Sequence, residues 1–224
     1  MNLPMFYEQQ LHASSSEIFL SEDTGRHCVQ VLRMKQGDKL QLTDGNGQLI
    51  TAEIKQADKK HCSVIINKTV QLPAPERKIC IALSLLKNTS RFEWFLEKAT
   101  EIGVSEIIPL LCHRTERQHF RHERMESIII SAMLQSKQVW LPVLQHPLSF
   151  ENTIQQSLYQ QKLIAHCLEN ERKEIGSLVY SSSVQILIGP EGDFTDDEIK
   201  PALQNNFEAI TLGSKRLRTE TAGV

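Results

Sequence analysis

Apolar and polar positions follow two different periods along this 224-residue chain, and the change of period divides it. Up to about residue 72 the apolar positions come in short alternating runs, LQLTDGNGQLITAEI and HCSVIINKTV, the pattern of half-buried strands. Asp44-Gly45 and Asn46-Gly47 sit where a hairpin must reverse the chain. Thr24 to Met34 reads as a short helix. These elements predict a small β-barrel domain over residues 1–72, and the prolines of Leu72 to Glu76 read as a linker.

From Arg77 onward, apolar strands alternate with segments of helical spacing. KICIALSLL is a strand. Ser90 with Glu93 reads as a capping box that opens a helix, with Phe92, Phe95, Leu96, Ala99 and Ile102 on one face and Gly103 closing it. VSEIIPLL is the next strand, a helix follows over about Glu123 to Lys137, and KLIAHCLE is a further strand. Val184 to Ile188 is a β-branched run that stops at Gly189-Pro190-Glu191-Gly192. Thr195 and Glu198 then form a capping box on a helix whose apolar face is Ile199, Ala202 and Leu203, and Ala209 to Leu212 makes another strand. Strand–helix alternation over 73–224 implies a mostly parallel α/β sheet. The last βαβ unit implies that the loops after Ile188 and Leu212 leave the carboxyl ends of neighbouring parallel strands, the edge where such sheets bind ligands.

Composition adds boundaries. Charged residues make 23% of the chain and the formal net charge is −2, so any nucleic-acid surface is a local patch. Residues 1–72 balance 8 basic against 8 acidic side chains, residues 77–146 carry 10 against 7, and residues 147–224 carry 7 against 11. The basic excess peaks in CHRTERQHFRHER, where Arg114, Arg117, Arg121 and Arg124 would share one stripe if the segment were helical. Such a stripe either neutralises phosphates or is a solvated face. The five cysteines are scattered and never in CxxC spacing, which argues against disulfides and zinc and for a reducing compartment. With no signal-like start and no run of membrane-spanning length, a cytoplasmic protein is expected, with no membrane and no metal.

Two loops carry the chemistry. GPEG fits neither a phosphate-binding P-loop nor the dinucleotide glycine pattern, and by itself it is either a ligand cradle or a plain turn. In LGSKRLRTETAG, Lys215, Arg216 and Arg218 crowd around Leu217 beside Thr219, Glu220 and Thr221, more than helix capping requires.

IGPEGDF followed by LGSKRLRTETA resembles the paired signatures of the bacterial 16S ribosomal RNA (uridine-N3) methyltransferases, members of the SPOUT class with a deep trefoil knot. HCVQVLRMKQGDKLQLTDGNG is similar to that family's PUA-like RNA-binding domain, and RFEWFLEKATEIGVSEIIPLLCHRTER to the start of its catalytic domain. Three departures stand out: Asp193 where the family usually has a glycine, Leu134-Gln135 for a Glu-Gln pair, and Lys215 ahead of Arg216-Leu217-Arg218 where an arginine is usual. The chain stops just past TETAG, where relatives continue into a helix that helps form the knot and dimer, so a shortened terminal helix is expected.

The resemblance implies a SPOUT-type sheet with a carboxy-terminal knot, S-adenosyl-L-methionine (AdoMet) as cofactor and a homodimer. It places the cofactor on three loops: Ala165, His166 and Leu168; Ile188, Gly189, Pro190, Glu191 and Gly192; and Leu212, Gly213, Leu217, Arg218, Thr219, Thr221 and Ala222. Uridine N3 carries a proton, so transfer needs a base or a cation that stabilises the uridine anion. Arg218 is the expected cation, and Glu220 or Glu191 would orient the base or help remove the proton. Arg26, Arg33 and Lys35, with the four arginines of the stripe, are the expected contacts to 16S ribosomal RNA within the small subunit. The rival readings are a SPOUT enzyme that methylates a ribose 2′-oxygen or another base, and a non-catalytic RNA-binding protein on the same scaffold.

Overall fold

A computed structural model describes residues 3–11, 16–58, 61–116, 118–167 and 172–224; Arg117 and Leu168, singled out above, lie outside the described residues. The chain divides into two compact units. One reaches Ala74 and also takes Met133–Leu141; the other joins Pro75–Ala132 to Pro142–Val224.

In the first unit β1 (Met5–Tyr7), β2 (Glu17–Phe19), β3 (Lys39–Thr43), β4 (Gln48–Gln56) and β5 (Ser63–Gln71) form one curled half-barrel sheet in the order β1-β3-β4-β5-β2. The β3–β4 reversal falls on residues 44–47 as expected. The Asp44 carboxylate accepts the Asn46 and Gln48 N–H groups at 2.7 and 3.2 Å, and Gly45 and Gly47 take φ of 73° and 88°. The helix read over Thr24 to Met34 is shorter and displaced: α1 is Glu22–Arg26, capped by Ser21, and His27–Val31 continues as a π-helical turn. Leu40, Leu42, Ile50, Ala52, Ile54 and Val64 close the core of this unit.

The second unit is built on parallel pairing throughout its described strands. Its elements are β6 (Lys78–Ser84), α2 (Thr89–Ile102), β7 (Glu106–Leu111), α3 (His122–Gln135, whose end belongs to the other unit), β8 (Val143–Leu144), β9 (Leu148–Ser149), α4 (Phe150–Gln156), β10 (Gln161–Ala165), β11 (Lys173–Glu174), β12 (Ser183–Ile188), α5 (Asp196–Gln204), β13 (Glu208–Thr211) and α6 (Thr219–Ala222). The strand order is β11-β13-β10-β12-β6-β7-β8, with β9 also on β7. One expectation needs correction here. β12 and β13 are parallel but not neighbours, because β10 lies between them, in register with both. The crossover through α5 passes over a strand, and the tail then returns to pack α6 against α2 and β6.

The strands read as apolar runs because both sheet faces are covered. Cys80, Ala82, Leu110, Ile164 and Leu187 meet Phe150 of α4, Phe194, and Ile199 and Ala202 of α5 on one face. Leu163, Val184 and Ile210 lie in a separate cluster with Ile175 and Leu212. Two helix readings change. The cap of α2 is Asn88, whose side chain accepts the Ser90 N–H at 3.0 Å, while Glu93 faces Arg124 instead of capping. On α5 Ile199 and Ala202 are buried but Leu203 faces out.

Candidate active site

Because β10, β12 and β13 run parallel, the segments after Ala165, Ile188 and Thr211 leave the same sheet edge. They enclose a cavity of about 810 Å³ with Arg91, from the first turn of α2, on its wall. The apolar lining includes Ala165, Ile188, Ile210, Leu212 and Leu217; the cations are Arg91, Arg172, Lys215, Arg216 and Arg218, and the acids are Glu191 and Asp193.

Local hydrogen bonds hold the loops in place. Asp193 takes the left-handed backbone conformation, φ 64°, which Asp tolerates better than most side chains. Its carboxylate accepts the Cys167 N–H at 2.7 Å and the Phe194 N–H at 2.8 Å, tying the GPEG loop to the segment after β10. The residue that departs from the family pattern therefore meets the backbone demand a glycine would meet, and adds a tether. At Gly189 a Cβ would lie 3.1 Å from the Phe194 nitrogen, so the turn closes tightly on itself. Arg114 donates to the Gly192 carbonyl. Glu198 is buried and does more than cap α5: one oxygen accepts the Thr195 N–H at 2.8 Å, and the other accepts the His113 N–H at 2.8 Å, fixing the segment that carries Arg114.

On the β10 side, Arg172 donates to the His166 carbonyl at 2.6 Å. The His166 imidazole is buried, and neither ring nitrogen has a hydrogen-bond partner among the described residues. Burial, assisted by the Arg172 charge against an opposing effect of Asp193, pushes its pKa below the usual histidine value and keeps the ring neutral at pH 7.

Of the residues expected to hold the cofactor, Ala165, His166, Ile188, Gly189, Pro190, Glu191, Gly192, Leu212, Gly213, Leu217, Arg218, Thr219 and Ala222 line this one cavity. Thr221 is exposed and off the lining, and Leu168 lies outside the described residues. Glu191 and Arg218 share the cavity. Glu220 does not line it; buried in α6, it has one carboxylate oxygen 3.6 Å from Arg91 Nε. Arg91, Arg172 and Asp193 were not singled out as ligand contacts. Asp193 was visible as a departure from the family pattern, whereas Arg91 stands far from all three loops in sequence and Arg172 just past the end of the first.

The arginine stripe does not form. Residues 118–121 are not helical, α3 starts at His122, and the expected i, i+3, i+4 alignment is lost. Arg114 serves the GPEG loop, Arg121 Nε donates to His119 at 3.4 Å, and Arg124 makes a two-pronged pair with Glu93 at 2.6 and 3.0 Å. Arg117 lies outside the described residues. In the first unit Arg26, Arg33 and Lys35 are all exposed, with Arg26 paired to Asp23. Among the described residues no group of three or more His, Cys, Asp or Glu is arranged to hold a metal, and no helix is long and apolar enough to cross a membrane.

A parallel sheet with a ligand-sized cavity at its carboxyl edge, lined by apolar side chains and cations, defines the class: an α/β fold with a site for a small organic ligand where such sheets hold one. Comparison with known proteins narrows this. Residues 73–224 match the model of the RNA methyltransferase domain and residues 20–67 that of the RNA methyltransferase PUA domain. The chain belongs to this family of RNA methyltransferases. It is 29% identical to the ribosomal RNA small subunit methyltransferase E of Rickettsia conorii, over 95% of this chain and 88% of that one. Its fold matches a "probable rRNA-methyltransferase" from Porphyromonas gingivalis at 39% identity and TM-score 0.91, covering 99% and 94% of the two chains. It also matches the ribosomal RNA small subunit methyltransferase E of Neisseria gonorrhoeae, solved bound to S-adenosyl methionine, at 26% identity and TM-score 0.89, covering 99% and 94%.

Proposed function

We propose that this chain transfers the methyl group of AdoMet to N3 of a uridine in 16S ribosomal RNA of the small subunit, in the cytoplasm. The observation that carries the reading is the meeting of the GPEG and LGSKRLR loops in one cavity of about 810 Å³, within the range of small-molecule sites. The residues fit the cofactor. Ala165, Ile188, Ile210 and Leu212 offer an apolar wall for an adenine ring, and the main chain of the three loops offers hydrogen-bonding groups beside it.

When bound, AdoMet supplies an electrophilic methyl group. The chain's own part is to bind and orient. Arg218 stabilises the uridine anion as the N3 proton leaves, and Glu191 orients the base or accepts that proton, a reading supported by both residues sharing the cavity lining. N3 lies on the pairing edge of the base, so the target uridine must be unpaired or turned out of its helix. Holding it in line with the methyl group supplies a large share of the rate. The β12–α5–β13 crossover past β10 and the tail's return to α2 are compatible with a trefoil knot. We propose that the chain is knotted there and acts as a homodimer.

Incubating the protein with undermodified small subunits and methyl-labelled AdoMet, then mapping the labelled nucleotide, tests the reading. N3-methyluridine in 16S RNA is the expected product. Label on a ribose 2′-oxygen or another base would make it a different RNA methyltransferase, and AdoMet binding without transfer to any RNA would overturn the catalytic reading.

A further inference from the structure

The cavity lining carries five cations against two acids. AdoMet brings a sulfonium, an ammonium and only one carboxylate, so the lining has more positive charge than that ligand can use. Arg91 stands apart within this set. It reaches the cavity from α2, about 70 residues from the nearest of the three loops, and among the described residues it is the lining cation that faces a carboxylate, Glu220. That partner, Glu220, stands on α6 behind the lining with its side chain only 9% exposed. The Nε–Oε1 separation of 3.6 Å is a charge contact rather than a hydrogen bond, and the other Glu220 oxygen is buried without a hydrogen-bond partner among the described residues. A guanidinium carries five N–H donors in a fixed fork, and its Nη groups make no hydrogen bond among the described residues. The contact to Glu220 thus leaves the Arg91 guanidinium donors without a hydrogen bond among the described residues.

Resting on the methyltransferase reading, we infer that Arg91 binds a phosphate of the RNA beside the target nucleotide, and that Glu220 is a positioning residue for Arg91. The guanidinium fork matches two phosphate oxygens. A partly enclosed wall strengthens that contact relative to open surface. The sulfonium end of AdoMet would be repelled by the same charge, so the anion that suits this wall comes with the RNA. The loose contact to Glu220 is the kind that tightens once its partner is loaded.

The test uses the full chain and undermodified small subunits. Arg91→Gln should raise the KM for RNA about tenfold or more, the loss expected for one charge-assisted contact, with kcat little changed and AdoMet affinity by calorimetry unchanged. The slope of log binding constant against log salt should fall by about 0.7 to 0.9, one phosphate contact, and Arg91→Lys should restore the slope. Glu220→Gln should raise the KM less and leave the slope intact, because the cation remains. Melting temperatures within a few degrees of wild type separate these effects from misfolding. An unchanged RNA KM and slope in Arg91→Gln would overturn the inference, as would a loss confined to AdoMet affinity, which would assign Arg91 to the cofactor carboxylate. A wild-type protein that binds AdoMet but modifies no RNA would instead strike the methyltransferase reading itself.

Discussion

At the scale of single residues, Asp193 shows why a departure from a family pattern need not be a defect. Its φ of 64° is the conformation that favours glycine, and the two N–H groups it accepts are what a glycine could not provide. Asp193→Gly should fit the backbone yet weaken AdoMet binding, and Asp193→Ala should weaken it further, because it loses the tether and strains the turn. Asp193→Asn should lie nearest wild type. Calorimetric AdoMet affinity reads all three; hydrogen bonds to a charged group contribute about 1.5–3 kcal/mol, so the Ala variant is expected to lose tenfold or more. Under the proposed function Arg218 acts on the reacting uridine, so Arg218→Ala should lower kcat by about a hundredfold or more while AdoMet affinity changes much less. Equal losses in both would make Arg218 a cofactor ligand only. The GPEG and LGSKRLR residues were legible because each run combines residue types that no regular element needs. Arg91 and the second bond of Glu198 were not, since contacts between distant segments leave no mark in local spacing, and Arg172 lies just past the residues the resemblance assigned to the first loop.

At the scale of elements, periodicity marked the helices and strands well and their ends less well. Ser90 and Asn88 are both good caps, and only the backbone settles which one closes the first turn: Asn88 is extended, at φ −93° and ψ 106°, and Ser90 is already helical. Glu93, freed from capping, binds Arg124 and ties α2 to α3. That hydrogen bond from Arg124, more than its charge, holds the Glu93 carboxyl below its ordinary value of 4.5, against the opposing effect of burial. A carboxylate with a lowered folded-state pKa contributes stability above its unfolded value, and that contribution fades as pH falls through the lower, folded value. A double-mutant cycle with Glu93→Gln and Arg124→Met should therefore show a favourable coupling at pH 7 that fades as the pH falls through the lowered folded-state value of Glu93. A coupling independent of pH would mean the pair does not act through charge. The arginine stripe failed at this scale for a physical reason. Helical spacing of charges carries no weight where no apolar stripe accompanies it, and the apolar face of α3 (Met125, Ile129, Ala132) begins only after all four arginines.

At the scale of the whole molecule, alternation of strand and helix was enough for a parallel sheet, but not for its order. A βαβ unit fixes direction and handedness, and nothing in it forbids a third strand from lying between its two. β10 takes that place, and so brings Ala165 and His166 into the cavity between the two signature loops. Net charge was equally blunt: the sum of −2 over the chain hides a cavity lined by more cations than acids. Lys215 and Arg216 are exposed on that lining, and under the proposed function they would meet RNA phosphates. Replacing both with alanine should flatten the salt dependence of RNA binding by roughly 1.4, two contacts at about 0.7 each on a single strand, and leave AdoMet affinity in place. An unaltered slope would return them to the solvated surface.

The proposed methyl transfer requires that the cavity at the carboxyl edge of β10, β12 and β13 hold AdoMet. Isothermal titration of the purified chain with AdoMet tests this most directly. Saturable heat corresponding to one AdoMet per cavity, weakened in Asp193→Ala, is the predicted result. A titration with no heat of binding and no protection of the protein against thermal unfolding would contradict the account.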